Sequence, residues 1–324
     1  MLHLNNGEQG RLSADKPQLA VVLAAPRGFC AGVRRAIDAV EDALSKHGAP
    51  VYVRRPIVHN LAVVRSLEAK GAVFIEELEQ APRGSVVIFS AHGVAPSVSE
   101  DARVRGLTAY DAVCPLVAKV HREVERHERN GRKIVLIGHE GHPEIEGTLG
   151  RLARESVYLV GNVPDVERLP FSSQVPTAYA VQTTYSVEDA QAIVDALRAR
   201  FSDLEEPSSS DICYATTNRQ AAVRRLARSC DAIIVVGEHF SSNARRLAEV
   251  ASGICKSVQL AADASELDWS QLPASGAIGI TAAASTPESS VDEILDALAQ
   301  RFDFRVETIE AAAESVAFKR VPIV

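Results

Sequence analysis

Short, wholly apolar runs alternate with helical periods along most of the chain. The runs Val51–Val53, Val86–Phe89, Ile134–Ile137, Val157–Val160, Ile233–Val236 and Ala277–Thr281 have the length and unbroken apolar character of strands covered on both faces. Leu19–Ala25 is too short to span a bilayer and predicts a first strand. Between the runs the period changes. Val33, Ile37, Val40 and Leu44 share one helical face ahead of Gly48, and Val117, Val120 and Val124 share another ahead of Gly131, each glycine acting as a stop. Such alternation predicts an α/β fold with mainly parallel sheets.

Aligning the chain on its cysteines exposes a repeat. Cys30, Cys114 and Cys213 each precede a predicted helix that leads into a strand. Twenty-eight or twenty-nine residues beyond the cysteine lie His59-Asn60, His142 and Ser241-Ser242-Asn243. Two strands later each segment offers one more polar residue: His92, Thr183 and Ser285. Repetition in a fixed register is a fold-level signal. It predicts a trefoil of three similar α/β modules, 19–113 with the first strand, 114–212 and 213–299. Ser208-Ser209-Ser210 after Pro207 marks a linker. Residues 1–18 read as a polar N-terminal extension and 300–324 as a C-terminal strap. Open α/β sheets bind ligands beyond the carboxyl ends of their strands, so modules facing inward converge their polar clusters on one pocket.

Composition narrows what that pocket can hold. Hydrophobic residues make up 46% and charged residues 24% of the 324, an ordinary globular balance for a chain too long for one core. A net charge of -7 opposes wholesale nucleic-acid binding, so an anionic ligand needs a local site. Five cysteines, odd in number and scattered, point to a reducing compartment where thiols serve metals or catalysis. Residues 1–18 lack a basic start followed by an apolar core, and the expectation is a cytoplasmic protein with no membrane segment.

Thiolates are soft ligands, and one from each module suggests a metal centre. Structural zinc sites take closely paired ligands, and no Cys-x-x-Cys occurs. Widely separated cysteines suit a 4Fe–4S cubane at the centre of the trefoil, with one iron left open to bind a substrate oxygen. A free cysteine is otherwise a small buried hydrophobe, and Cys230 and Cys255 are assigned that role. His59, His92, His142, Ser241, Ser242, Asn243 and Ser285 are donors for phosphate oxygens; the serines could equally cap a helix. His3, His47, His121, His127, His139 and His239 are read as structural or surface residues. Glu144 follows Gly141-His142-Pro143, beside the expected anion site, where a carboxyl group should have a raised pKa and be a proton donor; the alternative is a surface glutamate opening a helix, where the dipole favours it. Thr183 could orient that proton or fill a strand end. No glycine-rich nucleotide fingerprint is present, so electrons come from a partner protein. An iron–sulfur redox sensor and a cysteine-nucleophile hydrolase are the alternatives; a sensor needs neither Glu144 nor a full set of phosphate donors.

Three motifs carry a resemblance. Pro26-Arg27-Gly28-Phe29-Cys30-Ala31-Gly32-Val33, Gly138-His139-Glu140-Gly141-His142-Pro143-Glu144 and Asp211-Ile212-Cys213-Tyr214-Ala215-Thr216-Thr217-Asn218-Arg219-Gln220 resemble the LytB family of 4-hydroxy-3-methylbut-2-enyl diphosphate reductases, from about Leu19 to about Glu288. The resemblance implies a trefoil around an oxygen-sensitive 4Fe–4S cluster with three cysteine ligands and one open iron. It implies reductive dehydroxylation of the allylic diphosphate to isopentenyl and dimethylallyl diphosphates, the last step of the methylerythritol phosphate route to isoprenoids. By motif, Cys30, Cys114 and Cys213 become the cluster ligands, and His59, His92, Ser241, Ser242, Asn243 and Ser285 the diphosphate contacts, with His142 nearby. Glu144, helped by Thr183, becomes the proton source, and a ferredoxin or flavodoxin the electron donor. The sequence departs from the family pattern at Val113, commonly threonine, and at Ala283, frequently glycine. It departs again at Ala244, commonly serine, and at Glu238-His239-Phe240, which lacks the usual lysine.

Overall fold

Residues 16–324 are described by the structure, a computed structural model. The extension expected over 1–18, with His3, lies outside the described residues except for Lys16–Gln18. The chain opens with β1 (Gln18–Ala25) and α1 (Ala31–His47). The first module continues with β2 (Val51–Arg54), α2 (Leu61–Ala69), β3 (Ala72–Ile75), β4 (Val86–Phe89), α3 (Pro96–Val104) and β5 (Thr108–Asp111). The second comprises α4 (Pro115–Arg129), β6 (Lys133–Ile137), α5 (Pro143–Leu149), β7 (Val157–Val160), α6 (Val163–Glu167), β8 (Thr177–Val181), α7 (Val187–Arg200) and β9 (Leu204–Glu205). The third comprises α8 (Tyr214–Ser229), β10 (Ala232–Val236), α9 (Ser242–Ser252), β11 (Val258–Ala261), β12 (Gly276–Ala282), α10 (Glu288–Ala299) and β13 (Asp303–Glu310).

Each module builds a parallel sheet, and the three sheets share one design. Their strand orders are β3-β2-β4-β5, β7-β6-β8-β9 and β11-β10-β12-β1-β13. In the third sheet β1 takes the place that β5 and β9 take in the others. The first strand, expected with residues 19–113, therefore completes the last module, between β12 and β13. Its composition explains why. Val21 and Ala24 are wholly buried and lie on opposite faces, so the strand needs helices on both faces, which the sheet interior supplies. The segment expected as a strap begins instead as β13, which covers the other edge of β1, Leu19 beside Phe304 through to Ala25 beside Glu310. Residues 311–324 then run without regular structure across α8 and α1. Glu314 pairs with Arg219, Arg320 with Asp42, and Val321 is buried in the first module's core.

Helices cover both sheet faces, and the apolar side chains between form the cores. Ile233, Ile234, Val235 and Val236 of β10 are fully buried, as are Ile134, Val135 and Ile137 of β6. Burial of each contributes about 1.5–3 kcal/mol. The inward stripe of α1 is set by Ala36, Ala39, Val40 and Ala43, with Val33, Ile37 and Leu44 partly buried beside it. Gly48, at φ 75°, ends that helix as its position predicts. No described helix is long and apolar enough to cross a membrane.

Candidate active site

Strands β1, β5 and β9 all lead into a turn whose last residue is a cysteine. Cys30, Cys114 and Cys213 are the N-caps of α1, α4 and α8. Cys30 Sγ accepts from the Val33 N–H at 3.5 Å, and Cys213 Sγ from the Thr216 N–H at 3.4 Å. The cysteine N–H groups also follow one rule. Cys30 donates to the Ala284 carbonyl at 3.1 Å, Cys114 to Ala91 at 2.9 Å and Cys213 to Thr183 at 3.0 Å. Each cysteine is thus stitched to the strand end that carries Ser285, His92 or Thr183. The register of the sequence becomes a threefold geometry. A Cβ on Gly32 would lie 2.7 Å from Cys114 Sγ and 3.8 Å from Cys30 Sγ, so only hydrogen fits at position 32.

The three thiols line one cavity of about 100 Å³. Among the described residues, no three His, Cys, Asp or Glu side chains gather tightly enough to hold a single metal ion. Three thiols on the wall of one cavity are soft donors for metal. Burial pushes Cys114 up to about 12 and Cys213 up to about 11, so a metal taking these thiols displaces their protons. Helix N-termini favour the thiolates that result. Soft donors at three helix ends fit an iron–sulfur cluster.

His59, His92, His142, Ser241, Ser242, Asn243, Ser285, Glu144 and Thr183 line the same cavity. The His59 and His92 ring centroids are 4.2 Å apart, and the His142 ring lies 5.4 and 5.7 Å from them. Burial drives all three imidazoles neutral: His59 falls to about 4, His142 to about 3, and His92 well below its ordinary value. His142 caps α5, its Nδ1 accepting from the Glu144 N–H at 3.2 Å, so the neutral ring carries its proton on Nε2. Among the described residues, two buried groups in this cavity lack partners: His59 Nε2 and Asn243 Nδ2. An unmet buried group costs about 1–3 kcal/mol, and phosphate oxygens would remove that cost at Nδ2. Ser285 donates its hydroxyl to the His59 carbonyl at 3.0 Å, a bond it must surrender to donate to a ligand. Ser241 caps α9, and Ser242 Oγ accepts from Gln182 Nε2 and Thr184 Oγ1, both at 3.4 Å.

Glu144 is 2% exposed. Its Oε1 accepts from the Thr183 N–H and its Oε2 from the Thr183 hydroxyl, both at 2.7 Å. Burial pushes the carboxyl up to about 7 despite these two bonds, which favour its ionised form. Half-protonated near neutrality, it is matched to acid catalysis.

The remaining cysteines, and the other histidines among the described residues, lie elsewhere. Cys230 and Cys255 pack in the third module's core. His121 and His127 are buried, His47 bonds Tyr110, His239 pairs with Glu266, and His139 stands between Gln182 and Arg246. Sequence reasoning passed over Thr184 and Thr216, which line the cavity, and Gln182, which bridges His139 to Ser242. It also passed over Arg219, wholly buried, whose Nη2 donates to the Gly28 carbonyl at 2.7 Å and fixes the turn before Cys30. Their signal was adjacency: all four lie within motifs whose neighbours were singled out. An arginine on the same helical face as Ala215 and Ala222 also signals an internal partner.

Residues 21–299 match the family described as LytB protein. A protein from Beijerinckia indica named 4-hydroxy-3-methylbut-2-enyl diphosphate reductase is 52% identical over 94% of this chain and 96% of its own length. One of that name from Paracoccus denitrificans is 53% identical over the same shares. The solved structure of the E-1-hydroxy-2-methyl-but-2-enyl-4-diphosphate reductase from Plasmodium falciparum superposes with a TM-score of 0.90 at 39% identity, covering 94% of this chain and 96% of that one. A second solved structure, of (E)-4-hydroxy-3-methyl-but-2-enyl diphosphate reductase, the terminal enzyme of the non-mevalonate pathway, gives 0.62 at 30% identity, covering 88% and 99%.

Proposed function

We propose how this cavity works from one premise: the chain belongs to the LytB protein family. It is an iron–sulfur reductase that removes the hydroxyl of 4-hydroxy-3-methylbut-2-enyl diphosphate to give isopentenyl and dimethylallyl diphosphates, ending the non-mevalonate pathway. The reaction takes up two electrons and two protons and releases water. Cys30, Cys114 and Cys213 hold a 4Fe–4S cluster with one iron free of cysteine. When bound, the cluster supplies the electrons and a Lewis-acidic iron. A ferredoxin or flavodoxin supplies electrons to the cluster in the cytoplasm.

The protein's own groups bind, orient and protonate. His59, His92, His142, Ser241, Ser242, Asn243 and Ser285 surround the diphosphate. The Asn243 Nδ2 donors and the N-terminus of α9 meet its oxygens, and the anion raises the basicity of the neutral imidazoles around it. Glu144 holds the proton for the departing hydroxyl. Protonated on Oε2, it donates to Thr183 Oγ1 rather than accepting from it. That frees the Thr183 hydroxyl proton for the substrate, and the Glu144 proton follows. The apolar walls, Val33, Val58, Ala91 and Val117, exclude water and strengthen each of these interactions.

The observation that carries the reading is the convergence of three helix-capping thiols, a set of phosphate donors and a buried acid near pKa 7 on one cavity. Anaerobic purification, iron and sulfide counting and a reductase assay on the allylic diphosphate test it together. A zinc-loaded protein without sulfide, or a cluster-loaded one without reductase activity, refutes it.

A further inference from the structure

Glu238 and Phe240, in the turn that follows β10, sit at the seam between the third and first modules. Glu238 is 8% exposed. Its Oε1 accepts from the Leu61 N–H at 2.9 Å. Leu61 is the first residue of α2, where an N–H has no partner within the helix and a carboxylate is favoured. The backbone of Glu238 serves the other side: its carbonyl accepts from the Ser241 N–H at 3.0 Å, closing the turn that delivers the cap of α9. One residue therefore binds both His59's turn and Ser241's turn.

Two more contacts from the third module converge on His59. The Ser285 hydroxyl donates to its carbonyl, and the half-exposed Phe240 ring stands edge-on to its imidazole at 5.8 Å between centroids. Within the first module, Asn60 Oδ1 holds the Val63 N–H at 3.0 Å and so fixes α2 from its own side. The main chain from His59 to Leu61 is thus gripped at two points from another module, while His59 Nε2 is buried with no partner among the described residues.

We propose that Glu238 is a positioning residue that sets the separation between the two arms of the diphosphate cradle, His59 on the first module and Ser241-Ser242-Asn243 on the third. The inference rests on the diphosphate reading of this cavity and adds a residue that touches no ligand. A lost charge-assisted bond at a helix start lets α2 and His59 shift against α9, and misplaced donors weaken anion binding more than chemistry.

The test uses the anaerobic, cluster-loaded enzyme, with inorganic diphosphate titrated calorimetrically and KM and kcat measured on the allylic diphosphate. Glu238→Ala should bind inorganic diphosphate roughly tenfold more weakly and raise KM by a similar factor, with kcat changed by less than about twofold. Glu238→Gln, whose amide oxygen still accepts from Leu61, should recover most of the affinity. Unchanged or tighter diphosphate binding in Glu238→Ala overturns the inference, as does a Gln variant as weak as the Ala one. A loss of kcat with KM unmoved marks a general packing role and also overturns it. Failure of the underlying reading looks different: the parent and His59→Ala then bind inorganic diphosphate equally, which removes the cradle and this inference with it.

Discussion

Replacing Glu144 with glutamine separates two consequences of one buried carboxyl. In the parent, burial lifts this group from its ordinary 4.5 to about 7, a bias toward the protonated form of roughly 3 kcal/mol. The amide keeps shape and partners, its oxygen accepting from the Thr183 N–H and its NH2 donating to the Thr183 hydroxyl oxygen. It holds no transferable proton. Turnover should fall by about 10²–10⁴, the usual worth of a positioned acid. In the parent, kcat/KM should decline as pH rises through about 7, because the free enzyme loses the proton; the bound diphosphate should move the matching limb of kcat to higher pH. Both limbs should vanish in the variant. Stability should move the opposite way. A folded-state pKa above the unfolded one means that the unfolded chain releases the proton first, so the parent loses stability as pH rises from about 4.5 through 7. Glu144→Gln should therefore gain about 1–3 kcal/mol over the parent at pH 8 and less than about 1 at pH 5. Anaerobic urea unfolding at matched cluster content reads this difference. Near-normal turnover, a surviving high-pH limb or no stability gain at pH 8 would refute the argument.

Four further outcomes follow from the geometry. Serine at position 30, 114 or 213 should abolish or cripple the cluster, read from iron content and visible absorption, whereas Cys230→Ser and Cys255→Ala should leave it intact because both lie in the third module's core. Gly32→Ala places a methyl group 2.7 Å from Cys114 Sγ, and should lower cluster occupancy sharply while circular dichroism retains the fold. Ser242→Ala and His92→Phe should each weaken substrate binding by roughly tenfold to a hundredfold, the cost of losing a donor to an anion, with an unchanged cluster spectrum. His59 and His142 are neutral when free, at about 4 and about 3, so diphosphate binding near pH 6 should take up protons. Calorimetry in buffers of different ionisation enthalpy measures that uptake; proton release on binding would contradict it.

Local chemistry was legible without coordinates. Strand runs such as Ile233–Val236 follow from apolar continuity, and α1 ends at Gly48 because only glycine adopts its backbone readily. The spacing of Cys30, Cys114 and Cys213 against His59, His142 and Ser241 exposed three modules, since equivalent residues must fall at equivalent strand ends. Glu144 stood out because it follows a polar cluster next to a site for anions. Three matters were left to the tertiary structure. Pairing in a parallel sheet joins residues distant in sequence, so nothing in Leu19–Ala25 itself reveals that β1 lies between β12 and β13. The pKa of Glu144 depends on what surrounds the carboxyl, and its motif neighbours cannot show that it is 2% exposed and held by Thr183 from the turn after β8. The bond from Leu61 to Glu238 spans two modules, and a carboxylate's partner across such a distance is set by how whole modules pack. Periodicity and spacing are properties of neighbours along the chain, whereas strand order, burial and long-range capping are properties of neighbours in space.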